Sequence, residues 1–170
     1  MVSCRLVLDR AETIRQLEES LRLLERAVAA TPERWHRPAP GEEAPPDFWG
    51  VAMNLAHLAL YEENWPVPVL EALAAGAPEP APPATSDEAE ERATKALAAE
   101  PLEALLERLR AARRRQVDAL RAMPDERFEG ATTLRWGRRP RTAAWVAAKT
   151  VQHTWEHGNT VMQIALFYPP

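Results

Sequence analysis

The spacing of apolar residues constrains the fold most, because it repeats every three or four positions in several long stretches of the chain. In the first stretch, from about Asp9 to Ala30, the apolar positions are Ile14, Leu17, Leu21, Leu24 and Val28. This spacing gives a helix one apolar face and leaves the charged residues outside it. Asp9 can cap the first turn, and Pro32 follows the end.

Further helices with the same spacing are expected along the rest of the chain. Their expected limits are from after Asp47 until Pro66, from near Ser86 to Ala99, from Pro101 until Pro124, and from near Thr142 to about Phe167. A shorter helical piece, VLEALAAG, ends on Gly76, as helix C-termini often do. Thr85 and Glu88 have the spacing of a capping box, which predicts a helix start near Ser86.

Proline-rich segments separate these helices and form the loops between them. Residues 31–46 and 77–85 contain most of the prolines, and residues 124–141 form a turn-rich connection with a short extended piece at 134–137. The part before residue 77 is too short to bury a core of its own, so we expect one domain over residues 1–170. The predicted fold is all-α, an up-down four-helix bundle with an extra short helix and Pro-rich loops.

Composition excludes several classes of protein. A net charge of −4 gives no electrostatic reason to expect nucleic acid as a partner. No stretch approaches the roughly 18 apolar residues that span a bilayer, and the first residues do not resemble a secretion signal. The single cysteine excludes an internal disulfide. We therefore expect a soluble, cytoplasmic protein without a membrane partner, in which the Arg113–Arg115 run is a solvated helix face.

Histidine placement carries the strongest chemical signal. Two of only four histidines, His153 and His157, lie four residues apart in QHTWEHGNT on the last expected helix. This spacing puts both rings on one face, about 6 Å apart along the helix axis. That face also carries Val146 and Ile164 and should point into the core, where neutral imidazoles need hydrogen-bond partners or a metal ion.

A third histidine, His57, lies in the apolar sequence NLAHLALY on the second expected helix and should be at least half buried. Metal sites in bundles are built from side chains on facing helices, so His57 is predicted to join His153 and His157. Three histidines with an open fourth position are typical of a catalytic zinc-like site. The alternative is that these are core histidines whose rings are satisfied by backbone carbonyls.

Other polar residues near the histidines give weaker signals. Asn54 and Tyr61 precede and follow His57 on its own helix face, where they could contact the ligands or a substrate, or simply pack. Glu156 is adjacent to His157 and should point away from it, so we do not expect it to act as a base. His36 lies in a proline-rich loop and is left out of the site. No catalytic residue is assigned.

These residues and their order resemble the DinB/YfiT-like family of small metal-binding bundles. The similarity covers most of the chain: an opening helix, a Pro-rich loop, Trp49 just before a helix with NLAHL, and a last helix with HTWEHGNTV. Position by position, the three metal-binding histidines of that family fall on His57, His153 and His157. The resemblance also implies a homodimer, which the six tryptophans favour as well.

The resemblance implies a function built on one divalent ion, with zinc or nickel favoured. Several relatives are transferases or isomerases that use a low-molecular-weight thiol, so the first hypothesis is a thiol S-transferase acting on a small-molecule substrate. A metal-dependent hydrolase would use the same open position for water. The third hypothesis is a non-catalytic, metal-stabilised bundle with a role in the stress response. A fourth protein ligand, or a site plugged by Trp145 or Trp155, would favour this last hypothesis.

Overall fold

Helices account for most of residues 9–38, 48–77, 86–130 and 141–168, which are the residues that the computed structural model describes. The α-helices are α1 (Arg10–Ala30), α2 (Val51–Asn64), α3 (Pro66–Ala75), α4 (Asp87–Leu97), α5 (Leu102–Ala122), α6 (Asp125–Glu129) and α7 (Ala143–Phe167). A short 3-10 helix, Glu33–Trp35, follows α1. These ranges contain no β-strand, which confirms the predicted all-α fold class.

Local signals in the sequence set several helix ends. The Asp9 carboxylate accepts a hydrogen bond from the Glu12 backbone N–H at 2.7 Å, and the Thr142 hydroxyl accepts one from that of Trp145 at 3.1 Å. Gly76 closes α3 in the left-handed region, with φ of 71°. Pro66 both follows α2 and begins α3, because proline lacks only an N–H that a first turn leaves unpaired. The start of α2, expected after Asp47, lies at Val51.

Two local predictions need correction. The N-cap of α4 is Ser86, whose hydroxyl accepts from the Ala89 backbone N–H at 3.3 Å, whereas a capping box from Thr85 was expected. Thr85 itself lies outside the described residues. The connection after Pro124 contains the short helix α6, since an acidic first turn directly follows the proline. The predicted extended piece at 134–137 and most of both proline-rich loops also lie outside the described residues.

The four long helices pack against one another and so place the histidines. Helix α1 packs against α7 and α5, α2 packs against α5 and α7, and α3 lies along α5. One apolar cluster joins α1, α2, α4, α5 and α7, and a second joins α1, α3, α5, α6 and α7. The contact of α2 with α7 brings together the two helices that carry the three histidines. The up-down order of the helices stays a prediction.

The outer face of α7 carries several exposed apolar side chains. Trp155 is 55% exposed, Leu166 is 69% exposed and Phe167 is 76% exposed, and Met162 lies on the same helix. Leu23 of α1 is exposed as well. Within the described ranges, no helix is both long and apolar enough to cross a membrane. The exposed side chains thus lie on an amphipathic bundle helix.

Candidate metal centre

The structure brings His57, His153 and His157 together between α2 and α7. Each ring offers one nitrogen such that all three nitrogens lie within 4.8 Å of one another. The Nε2 atoms of His57 and His153 are 3.2 Å apart. The centroids of the His153 and His157 rings are 4.7 Å apart, as expected for one helical turn. The predicted convergence of the two helices therefore occurs, while metal binding itself stays a prediction.

The spacing of the nitrogens fits a shared ion. A tetrahedral ion with bonds of about 2.05 Å holds its ligand nitrogens about 3.3 Å apart. The 3.2 Å between His57 and His153 already matches this distance, and the third ring must close by up to about 1.5 Å. An ion shared through the two Nε2 atoms would leave Nδ1 of His153 as it is in the structure, buried and without a hydrogen-bond partner.

Asn54 fixes the proton position on His157. Both donor hydrogens of the Asn54 amide are used, on the backbone carbonyls of Trp49 at 2.9 Å and Gly50 at 3.0 Å. Its Oδ1 must therefore accept, and Nδ1–H of His157 donates to it over 2.8 Å. The neutral ring then keeps its lone pair on Nε2, the nitrogen left to face an ion.

Glu90 of α4 approaches the other side of His57. One of its carboxylate oxygens lies 3.6 Å from Nδ1 of His57, while Nε2 of the same ring faces His153. A carboxylate behind a histidine ring orients the ring and makes its free nitrogen more basic. Sequence reasoning missed Glu90, because it lies on a charged, solvated helix whose approach to α2 is a tertiary event.

Burial keeps the three rings neutral near pH 7. It lowers the pKa of His153 to about 4, and the neighbouring His57 and Lys149 add to the effect. It lowers the pKa of His157 to about 3, with His153 and His57 contributing. Burial also lowers the pKa of His57, although Glu90 opposes this. Neutral imidazoles are the form that binds metals.

Aromatic rings enclose the cluster. The Trp49 ring stacks on His157 with centroids 6.1 Å apart and meets His57 edge-on at 5.4 Å. The Tyr61 ring lies 4.1 Å from that of His153, and its hydroxyl is buried without a hydrogen-bond partner. Burial raises the pKa of that hydroxyl, so it stays protonated and keeps an O–H that can donate to an incoming group. A cavity of about 490 Å³ borders His157 on one side.

The residues left out of the site on sequence grounds, and those considered as plugs, lie outside the histidine cluster. His36 hydrogen-bonds through Nε2 to the Thr31 carbonyl at 3.0 Å. Glu156 is exposed and accepts from the Gln152 amide at 2.8 Å. Trp155 is 55% exposed, and Trp145 packs on Trp65 with ring centroids 6.0 Å apart, so neither plugs the site. Among the described residues, the cluster contains no fourth His, Cys, Asp or Glu.

The Arg113–Arg115 run is not the uniform solvated face that was predicted. The Arg113 side chain is 3% exposed and pairs with the fully buried Glu62 at 2.5 Å, whereas Arg114 and Arg115 are exposed. A helix turns by about 100° per residue, so one of three consecutive positions must face inward. The signal that could have found this pair is Glu62 itself, a carboxylate on the apolar face of α2.

A family model matches most of the chain. The model of the DinB superfamily matches residues 16–161, a range that contains all three histidines of the cluster and most of α1 and α7. This match confirms the family resemblance inferred from the sequence. No curated protein and no solved structure shows significant similarity to the chain.

Proposed function

The chain belongs to the DinB superfamily, and from this premise we propose that it is a metal-dependent enzyme holding one divalent ion on His57, His153 and His157. The observation that carries the proposal is the histidine cluster, whose three nitrogens lie within 4.8 Å of one another in neutral rings. Imidazole ligands suit zinc or nickel. When bound, such an ion is a Lewis acid that lowers the pKa of a thiol or a water molecule.

The chain's own residues prepare and limit this site. Asn54 keeps the lone pair of His157 on Nε2, and Glu90 holds His57 from the opposite side. Trp49 and Tyr61 cover the rings and reduce contact with water. The Tyr61 hydroxyl, buried and unpartnered, is placed to donate a hydrogen bond to a bound molecule. Since three protein ligands leave a coordination position free, the arrangement supports catalysis over a purely structural role.

For the reaction we propose S-transfer, in which a low-molecular-weight thiol is the cofactor and the substrate is a small molecule. The cluster contains no cysteine among the described residues, so an external thiol would complete the chemistry. We further propose a cytoplasmic homodimer that does not bind nucleic acid. The exposed apolar face of α7 supports the dimer, and the net charge of −4 disfavours nucleic acid.

A hydrolase is the second candidate, and one observation favours it. The described residues lining the cavity beside His157 include no Lys or Arg that could bind the carboxylates of a glutathione-like thiol. A hydrolase needs only water at the open position. The non-catalytic bundle in a stress response is the weakest of the three, because it would need a fourth ligand or a plug.

The test is metal analysis of protein purified without a histidine tag, in wild type and four single His→Ala variants. We expect about one ion per chain in wild type and in His36→Ala, and a large loss in each variant of the cluster. Equal occupancy in wild type and His57→Ala would remove α2 from the site and sink the three-histidine proposal. Loaded protein is then assayed on a panel of electrophiles and esters with and without thiol, which separates transferase from hydrolase.

A further inference from the structure

The cavity beside the histidines has aromatic walls. It measures about 490 Å³, within the usual range for small-molecule sites. Phe48 and Trp49 come from the segment before α2, and Tyr168 follows the end of α7. The Phe48 and Tyr168 rings pack against each other with centroids 5.1 Å apart. Two distant parts of the chain therefore form one aromatic wall.

The rest of the lining is polar but uncharged. Thr160 and Gln163 follow His157 along α7, and Ile164 adds an apolar contact. None of the described lining residues is Lys, Arg, Asp or Glu. A groove of similar size between α1 and α5, about 440 Å³, is lined instead by residues such as Arg22, Arg114 and Asp118. Of these two cavities of similar size, the one next to the histidines is thus the one whose described lining carries no charged side chain.

Burial of a charged group here would be costly. An ion that loses water and gains no partner of opposite charge pays several kcal/mol, while a flat aromatic group gains from contact with aromatic rings. Hydroxyl and amide groups such as those of Thr160 and Gln163 can still orient a neutral polar substituent. His157 is shared, because it belongs to the cluster and also lines this cavity.

We propose that this cavity binds a flat, uncharged aromatic group of the substrate, packed beside Trp49 with its edge toward His157. The catalytic meaning of this binding rests on the proposed function, but the binding itself does not need a metal ion. The inference narrows the substrate class to neutral aromatic molecules and places any charged part of a cofactor outside this cavity.

The experiment uses metal-free full-length protein in excess chelator, titrated with 2-naphthol and with 2-naphthalenesulfonate by ligand-observed NMR. Both probes have the same rings, and the second adds a fixed negative charge. We expect 2-naphthol to bind at least about tenfold more tightly. Trp49→Ala should weaken its binding by roughly tenfold. Trp155→Ala is the matched control, since Trp155 is exposed and does not line the cavity.

A second variant guards against misfolding of Trp49→Ala. Gln163 is exposed on α7 and lines the cavity, so Gln163→Arg should fold and place one positive charge there. The preference should then shift toward the sulfonate by at least about tenfold. The proposal is overturned if wild type prefers the sulfonate, or if neither Trp49→Ala nor Gln163→Arg changes the relative affinities. The two proposals can fail separately. A failed naphthol test would not change the measured metal content, and a failed metal test would not change the measured naphthol binding to metal-free protein.

Discussion

Two buried polar clusters lie close together in this bundle, and they differ in how completely their polar groups are hydrogen-bonded. One contains Glu62 of α2 and Arg113 of α5, and the other contains the three histidines. On α7, Thr154 hydrogen-bonds to Arg113, while the preceding residue, His153, belongs to the histidine cluster. The same two helices, α2 and α7, therefore contribute to both clusters.

The cluster around Arg113 is called closed here because its charged groups have hydrogen-bond partners within the protein. Its guanidinium donates to both oxygens of Glu62, to Ser20 at 2.8 Å, to Thr154 at 2.9 Å and to the Leu17 carbonyl. Gln116 donates to Glu62 at 2.6 Å, which gives the carboxylate a further partner. Every charge in this cluster has a partner inside the protein, so it needs nothing from outside.

The histidine cluster is called open because some of its buried polar groups have no hydrogen-bond partner. Nε2 of His153 contacts Nε2 of His57 at 3.2 Å, whereas Nδ1 of His153 and the Tyr61 hydroxyl have no hydrogen-bond partner. Buried polar groups left in this state cost stability, and proteins accept the cost mainly where a ligand will bind. Comparison of the two clusters teaches that burial of polar residues alone does not identify a site. Unpartnered groups gathered beside neutral imidazoles do, whereas a single unpartnered group such as the Thr94 hydroxyl does not.

The largest expected effect on stability comes from removing the charged partner of Glu62 in the closed cluster. Arg113→Met removes the cation and leaves Glu62 charged, buried and unpaired, which should cost about 3–5 kcal/mol in the free energy of unfolding. Arg114→Met is the matched control at an exposed position and should change stability by less than about 0.5 kcal/mol. Urea denaturation of both variants measures the difference. Similar values for the two variants would show that Arg113 is not an essential partner of Glu62.

A second prediction concerns how the open cluster is organised. Asn54→Ala removes the acceptor that keeps the proton of His157 on Nδ1, and should weaken metal binding about 10–100-fold. Asn159→Ala changes the same residue type at an exposed position on α7 and should leave affinity unchanged. Competition with a chromophoric chelator measures both affinities. Wild-type affinity in Asn54→Ala would mean that the His157 tautomer does not depend on this hydrogen bond.

The third prediction is a gain in the stability of the metal-free protein, whereas the first is a loss of stability. His153→Phe keeps a flat ring against Tyr61 and removes the orphaned Nδ1, which we expect to outweigh loss of the Nε2 contact with His57. Metal-free protein should therefore become more stable by less than about 1 kcal/mol. The same variant should lose the metal-induced rise in Tm that wild type shows with saturating zinc. Thermal unfolding with chelator and with zinc checks both parts. Destabilisation of the metal-free variant would show that His153 is satisfied in a way that the static contacts miss.

The sequence predicted what depends on neighbours along the chain. The helix caps at Asp9 and Thr142, and the glycine end at Gly76, are set by a few adjacent residues, so their signals are local. The pairing of His153 with His157 follows from helical spacing alone. These features could be inferred without knowing how any two helices pack.

What the sequence could not supply depends on packing between distant segments. Arg113 has the same chemistry as Arg114, and only the orientation of α5 buries one and exposes the other. Glu90 reaches His57 because α4 packs on α2. The aromatic cavity joins Phe48 to Tyr168 across the length of the chain. No local pattern encodes such contacts, so they required the structure.

The smallest expected effect is the dependence of metal-free stability on pH, and it again separates the two clusters. Burial lowers the pKa of His153 to about 4 and that of His157 to about 3, whereas an unfolded histidine titrates near 6.5. Between these values the unfolded chain binds more protons than the folded one, so stability falls as pH drops below about 6.5. Linkage for two such rings gives roughly 1.4 kcal/mol between pH 7 and pH 6, and because the rings are partly solvated we expect a loss of about half of that. Urea denaturation at the two pH values measures this loss, and the double variant His153→Phe/His157→Phe should lose less. A loss as large in the double variant as in wild type would assign the pH dependence to groups outside the histidine cluster.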